Sequence, residues 1–133
     1  MVIDTSALIA ILQDEPERSD FIRAIEAAEE RVISAATLVE ASIVFDARYG
    51  AAGVRDLDLF IARAGIAIVD VDREQADLAR HAHARYRGGS HRTTLNIGNC
   101  YTYALARSTG QPLLAKGDHF AQTDVRMADV WPT

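Results

Sequence analysis

Four short apolar runs constrain this chain most, because each ends on small polar or acidic residues and is followed by a helical pattern. Val2-Ile3 stops at Asp4-Thr5-Ser6, and Val32-Ile33-Ser34 leads into a helical run. Ile66-Ala67-Ile68-Val69-Asp70-Val71 stops at Asp72, and Gln111-Pro112-Leu113-Leu114-Ala115 runs into a turn at Gly117-Asp118. The spacing predicts helices over about 6–13, 16–30, 36–49, 54–64, 72–87 and 98–109. Gly50 and Gly53 are expected to break the third of these from the fourth, and residues 88–94 read as a polar loop. Asp72 with Gln75 reads as a capping box. Strands separated by one or two helices need right-handed crossovers. The expected fold is therefore α/β, a single domain over residues 1–133, with a central parallel sheet of four to five short strands and helices on both faces.

Charge matters through its placement. The 133 residues carry 19 acidic and 14 basic side chains, a net of −5, which at face value argues against a nucleic-acid partner. Resolved along the chain, residues 1–77 carry −9, residues 78–117 carry +6 without one carboxylate, and residues 118–133 carry −2. The middle block also holds His81, His83 and His91. It reads either as a surface that faces a polyanion or as a solvated helix face with a polar loop. Cys100 is the single cysteine, so no internal disulfide or Cys/His metal spacing is available, and a reducing cytoplasm fits. Asp4 interrupts the first apolar run and no basic leader precedes it. No apolar run approaches the ~18 residues of a membrane span.

In open parallel sheets, ligands bind beyond the carboxyl ends of the strands at a topological switch point. That rule singles out Asp4, Asp70, Asp72 and Asp118, each of which could equally be a cap or turn former. Glu40 lies in the most apolar stretch of the chain, Ala35 to Phe45, where an unpaired carboxylate is costly and a partner, a proton or a metal is expected. Asn96, Gly98 and Asn99 open a helix, either as caps or as part of an anion-attracting N-terminus. Carboxylates gathered at one point repel, by about 4 kcal/mol for two charges ~4 Å apart at an effective dielectric of ~20. A hard divalent cation removes that conflict, accepts a substrate phosphate and activates water for phosphodiester cleavage. Arg85, Arg87 and Arg92 flank the polar loop and are the candidate phosphate contacts.

Taken together, Val2-Ile3-Asp4-Thr5-Ser6-Ala7-Leu8, Ser34-Ala35-Ala36-Thr37-Leu38-Val39-Glu40-Ala41, Leu95-Asn96-Ile97-Gly98-Asn99-Cys100, Tyr103-Ala104-Leu105-Ala106 and Pro112 to Phe120 resemble a PIN-domain ribonuclease of the VapC toxin type. Thr123-Asp124-Val125 fits the same pattern, and the resemblance runs nearly end to end. It implies a Mg²⁺- or Mn²⁺-dependent endoribonuclease, a homodimer, held inactive by a cognate VapB-like antitoxin. Asp4 and Glu40 match acidic metal-site residues, with Thr5 or Ser6 in support. Asp118 matches the last acid, with Asp124 as its rival. The family carries Asp where this chain carries Asn99. An amide oxygen offers a cation no charge and cannot act as a base, so weak metal binding and slow cleavage are expected.

Other classes remain as alternatives. A receiver-type signalling domain shares the size and the strand-end acids, but it needs a phosphoacceptor at a mid-chain strand end, and Asp56 and Asp58 fall in a helical pattern. A phosphohydrolase with an Asp nucleophile wants a second Asp where Ser6 stands. A non-catalytic RNA- or antitoxin-binding protein is compatible with Asn99, and an RNA-processing nuclease is the nearest enzymatic rival.

Overall fold

Val2 and Ile3 are neighbours in β1 (Val2–Ile3), yet they serve different cores. Ile3 packs with Leu8, Ile11, Phe21, Ile33, Phe45 and Leu57, whereas Val2 packs with Ala82, Tyr103, Leu105 and Leu113. Successive side chains of a strand point to opposite faces, so both faces of this sheet are covered. The computed structural model describes residues 1–87 and 95–131. Its elements follow as α1 (Thr5–Leu12), α2 (Arg18–Ala27), β2 (Val32–Ser34), α3 (Ala35–Arg63), β3 (Ala67–Val69), α4 (Arg73–Arg85), α5 (Ile97–Thr109) and β4 (Leu113–Leu114). All pairings are parallel, in the order β3-β2-β1-β4. The sheet thus has four strands, and Met127 adds one isolated parallel bridge to Leu113.

Several local expectations shift for physical reasons. The break expected at Gly50 and Gly53 is a kink inside one long α3, made at Gly50 alone (φ 65°, ψ −155°). Gly53 is helical, and a Cβ there would stand 2.7 Å from the Tyr49 Cβ and 2.8 Å from the Phe45 carbonyl. It serves close packing across the kink. Helix α2 ends at Ala27 instead of residue 30, where the Arg31 guanidinium donates to the carbonyls of Ala28 (3.3 Å), Glu26 (3.0 Å) and Ala64 (2.7 Å). A cation on the last carbonyls of a helix is a favourable stop. The capping box at α4 is half formed: Asp72 accepts from the Gln75 N–H at 2.9 Å, but the Gln75 amide turns to the Asp70 carbonyl at 3.0 Å. The apolar β3 is an edge strand with Ala67 and Ile68 exposed. Asp56 and Asp58 are exposed on α3, away from any strand end, which removes the receiver-type alternative. Among the described residues no helix is long and apolar enough to cross a membrane.

Asp124 fastens the segment after β4 to α4 and α5. Its carboxylate accepts from the Tyr103 hydroxyl at 2.7 Å and pairs with Arg107 at 3.1 Å and Arg85 at 3.7 Å. Partial burial pushes this carboxyl up, but the Tyr103 hydroxyl and the two arginines outweigh it and hold it below its ordinary 3.8. The same contact and burial push the Tyr103 phenol well above the usual range. A carboxylate depressed in the folded state stabilises above its unfolded pKa and loses that contribution as pH falls through the folded value. Partial exposure keeps the effect to about 1 kcal/mol. Asp124→Asn should therefore melt a few degrees lower than the parent at pH 7, and the gap should close below about pH 3.8. A gap that persists unchanged at pH 3 would disprove the charge-based account.

Candidate active site

The chain leaves β1 to build β2 and β3 on one side, then crosses to β4 on the other. The sheet therefore reverses direction between β1 and β4, and a ligand site is expected beyond their carboxyl ends. Asp4 stands at that point, 2% exposed. It is the N-cap of α1, and its Oδ2 accepts from the Ser6 N–H at 3.1 Å and the Ser6 hydroxyl at 2.7 Å. Its Oδ1 accepts from the hydroxyl of Thr102 on α5 at 2.7 Å. Three donors offset the desolvation of this carboxylate, so it needs no counter-cation to be buried here. The Ser6 oxygen in turn accepts from the Lys116 N–H at 3.0 Å, which ties the strand-end loop of β4 to the same point. The Lys116 ammonium reaches Glu15 at 2.9 Å and Glu17 at 3.2 Å, and these two carboxylates hold it above its ordinary pKa.

Glu40 lies one turn into α3, half-buried, and accepts a hydrogen bond from the Thr5 hydroxyl. Thr5 follows Asp4 directly, so the two carboxylates are bridged by one residue. The apolar residues around Glu40 divide between core and surface: Ala41 and Phe45 are buried, whereas Val39 is 58% and Ile43 64% exposed. The carboxylate rests in the space that a side chain at Gly98 would take, because a Cβ there would stand 1.9 Å from Oε2. Gly98 is the second residue of α5, so Glu40 sits beside the positive end of that helix.

Asn96 and Asn99 form a reciprocal capping box. The Asn99 N–H donates to the Asn96 side-chain oxygen at 2.8 Å, and the Asn96 N–H donates to the Asn99 Oδ1 at 3.2 Å. Asn99 is nearly buried and its oxygen is engaged in holding the helix start. Cys100 is buried in the core, and burial pushes its thiol up. Asp118 lies on an exposed turn beyond β4, where its carbonyl accepts from the Ala121 N–H at 3.1 Å. The structure thus brings together Asp4, Thr5, Ser6 and Glu40, sets Gly98 at the start of α5 against Glu40, leaves Asn96 and Asn99 bonded to each other at that helix start, and commits the Asp124 carboxylate elsewhere. Of the six basic residues expected to form a polyanion surface, Arg80 pairs with Asp77 at 3.3 Å, Arg85 and Arg107 pair with Asp124, and Lys116 pairs with Glu15 and Glu17. Arg87 is exposed at the end of α4, and Arg92 lies outside the described residues. The sequence does not single out Thr102 or Lys116 for the site, and it offers Gly98 only as part of the α5 start. The legible signal for Thr102 was a polar side chain inside an otherwise apolar helix, one turn after Asn99.

Among the described residues no three His, Cys, Asp or Glu side chains converge as a ready metal cage. The donors present are two carboxylates, hydroxyls and an amide oxygen, all hard oxygens. That set fits Mg²⁺ or Mn²⁺, which binds through one or two carboxylates, keeps several waters and takes substrate phosphate oxygens as further ligands. Gly98 tests the site directly. Gly98→Ala gains up to about 1 kcal/mol of helix propensity, which offsets the cost of moving a flexible carboxylate. The variant should keep the parent's melting temperature within a few degrees and lose Mn²⁺ affinity, read by titration. Parental Mn²⁺ affinity would show that Glu40 is not needed where it stands.

Residues 1–126 match the family model described as the PIN domain. Ribonuclease VapC30 of Mycobacterium tuberculosis is 49% identical over 125 residues, covering 94% of this chain and 95% of the relative. Ribonuclease VapC of Mycolicibacterium smegmatis is 51% identical over 125 residues, covering 94% and 97%. The fold is similar to that of M. tuberculosis VapC20, titled a sarcin-ricin loop cleaving toxin, with a TM-score of 0.74 at 17% identity over 96% of this chain and 98% of that one. It is also similar to FitAcB of Neisseria gonorrhoeae, with a TM-score of 0.69 at 16% identity over 96% of both chains. With a family model spanning almost its whole length and half its residues shared with curated relatives, the chain belongs to the PIN-domain family, among the VapC ribonucleases.

Proposed function

We propose that this protein is the toxin of a type II toxin–antitoxin pair, an endoribonuclease that uses Mg²⁺ or Mn²⁺ and acts in the cytoplasm. The family supports ribonuclease activity, and the observation that carries the rest is the pair of Asp4 and Glu40 bridged by Thr5 at the sheet's switch point. A divalent ion bound there supplies Lewis-acid stabilisation of developing phosphate charge and a more acidic water. The chain's own residues do the rest. Asp4 and Glu40 hold the ion, and the Thr5 and Ser6 hydroxyls fix the two carboxylates. Asp118, on its exposed turn beyond β4, is the further acid of the site. Arg87 and Arg92 contact phosphates, and Arg85 joins them, because an exposed ion pair is worth about 0–1 kcal/mol and a phosphate displaces it readily. Affinity for RNA should therefore fall steeply with salt.

Asn99 weakens this site. Its oxygen carries the capping box, and an amide adds no charge beside Asp4 and Glu40. An aspartate at position 99 could keep the cap and add that charge. Cleavage of total RNA in Mn²⁺ should be slow for this chain, abolished by EDTA and at least tenfold faster for Asn99→Asp, the scale on which single metal-site groups act. Equal rates would remove Asn99 from the account, and cleavage that survives EDTA would remove the metal. Slow cleavage favours this reading over a non-catalytic RNA- or antitoxin-binding protein, for which neither variant cuts.

The antitoxin partner follows from the same family, and solved relatives of similar fold include a toxin–antitoxin complex from Klebsiella pneumoniae. We also assign a homodimer. Val39, Ile43 and Ile97, the last 74% exposed, surround a groove of about 610 Å³ with Val71 and Tyr101. Such a contiguous apolar patch is unusual on a lone monomer. Sedimentation should give twice 14.5 kDa, and Ile97→Asp should return it to the monomer; a monomeric parent would rule the dimer out.

A further inference from the structure

Thr102 is wholly buried in the middle of α5, within the run Cys100 to Ala106. A β-branched residue is a mediocre helix former there, and a buried hydroxyl without a partner would cost about 1–3 kcal/mol. Valine would fill the same space with about the same helix propensity and no hydroxyl to satisfy, so the hydroxyl is the property that requires explanation. Its partner is the Asp4 Oδ1, 2.7 Å away and 98 residues distant in the chain. A hydroxyl has one proton, and Thr102 gives it to Asp4. In the 3.4 Å contact between the Thr102 and Thr37 hydroxyls, Thr37 is therefore the donor. Thr37 is buried too, on the first turn of α3, three residues before Glu40.

Asp4 has two oxygens and two kinds of restraint. Ser6 holds Oδ2 through its N–H and hydroxyl, both of them local to the α1 cap. Among the described residues only Thr102 holds Oδ1. Without it the carboxylate keeps one anchored oxygen and can turn about its Cβ–Cγ bond, a torsion that is intrinsically broad. Asn99, one turn earlier on α5, spends its oxygen on the helix start, so Thr102 is the α5 side chain that touches the site's carboxylates. We propose that Thr102, backed by Thr37, is a positioning residue that sets the orientation of the Asp4 carboxylate for metal and phosphate. This rests on the reading of Asp4 as a site carboxylate.

The test compares Thr102→Val, Thr102→Ser, Thr37→Val and Asp4→Ala with the parent, in the full chain. Melting temperature, Mn²⁺ affinity by titration, and kcat and KM on a short RNA are measured for each. Groups that orient metal-binding side chains are worth about 10–100-fold in affinity or activity. Thr102→Val keeps the shape and loses the donor, so it should melt lower than the parent and, measured where it is fully folded, lose about that factor in Mn²⁺ affinity and kcat with KM near the parent's. Thr102→Ser keeps the donor and loses a buried methyl, so it should melt lower yet retain Mn²⁺ affinity and kcat. Loss of metal affinity in the fully folded valine variant, absent from the serine variant, is what a positioning role requires. The proposal is overturned if Thr102→Val, measured where it is fully folded, binds Mn²⁺ and cleaves like the parent, or if fully folded Thr102→Ser loses function as far as Thr102→Val does. Should Thr102→Val fail to fold, Thr37→Val decides: reduced kcat at an unchanged melting temperature supports the proposal, and parental kcat overturns it. Asp4→Ala separates the two levels, because parental Mn²⁺ affinity and cleavage in that variant would refute Asp4 as a site residue and leave Thr102 nothing to position.

Discussion

One carboxylate holds this structure's working end together. Asp4 terminates β1, caps α1, takes a hydroxyl from α5 and, through Ser6, reaches the loop that leaves β4. Burying an ionised group costs several kcal/mol unless hydrogen bonds replace its water. Here that cost is offset only when all these elements are in place at once. The carboxylate is thus both the product of the tertiary structure and the point at which its parts are aligned. Glu40 repeats the logic on a smaller scale, with the Thr5 hydroxyl on one side and the vacant Cβ position of Gly98 on the other.

Charge separation along the chain does not survive folding intact. The acid-free block from residue 78 to 117 is met by carboxylates from both of its flanks: Asp77 from one, Asp124 from the other, and Glu15 and Glu17 from the first helical hairpin. These pairs are exposed and individually weak. They keep the basic residues in defined places without sealing them off. The strongest of these clusters, around Asp124, is built on the Tyr103 hydroxyl and has a structural purpose, since it fastens the segment after β4 to the helices.

What was legible in the sequence follows from range. Strand-end Asp4, the caps at Asp4 and Asp72 and the start of α5 depend on residues within one turn of each other, and local chemistry specifies them. The parallel sheet was legible because crossover handedness leaves few topologies. Thr102 was not legible as a site residue, and Gly98 was legible only as part of the α5 start, because each acts on a group from a distant element. Asp124 looked like a rival for the site until Tyr103 and Arg107 claimed its carboxylate. The run around Glu40 looked buried because it is apolar, whereas Val39 and Ile43 face outward. Apolar composition reports that a surface will be covered, and a partner can cover it as well as a core.

The two-residue β1 has a further consequence. Because Val2 and Ile3 serve opposite cores, a slip of one residue would exchange their faces and carry Asp4 about 3.3 Å along the strand axis. It would leave both cores mispacked and draw Asp4 away from Thr102 together. If Asp4 is the site carboxylate proposed above, a chain that has folded wrongly is also disarmed. For a protein whose activity harms the cell that makes it, correct folding and the capacity to do damage arrive in the same step.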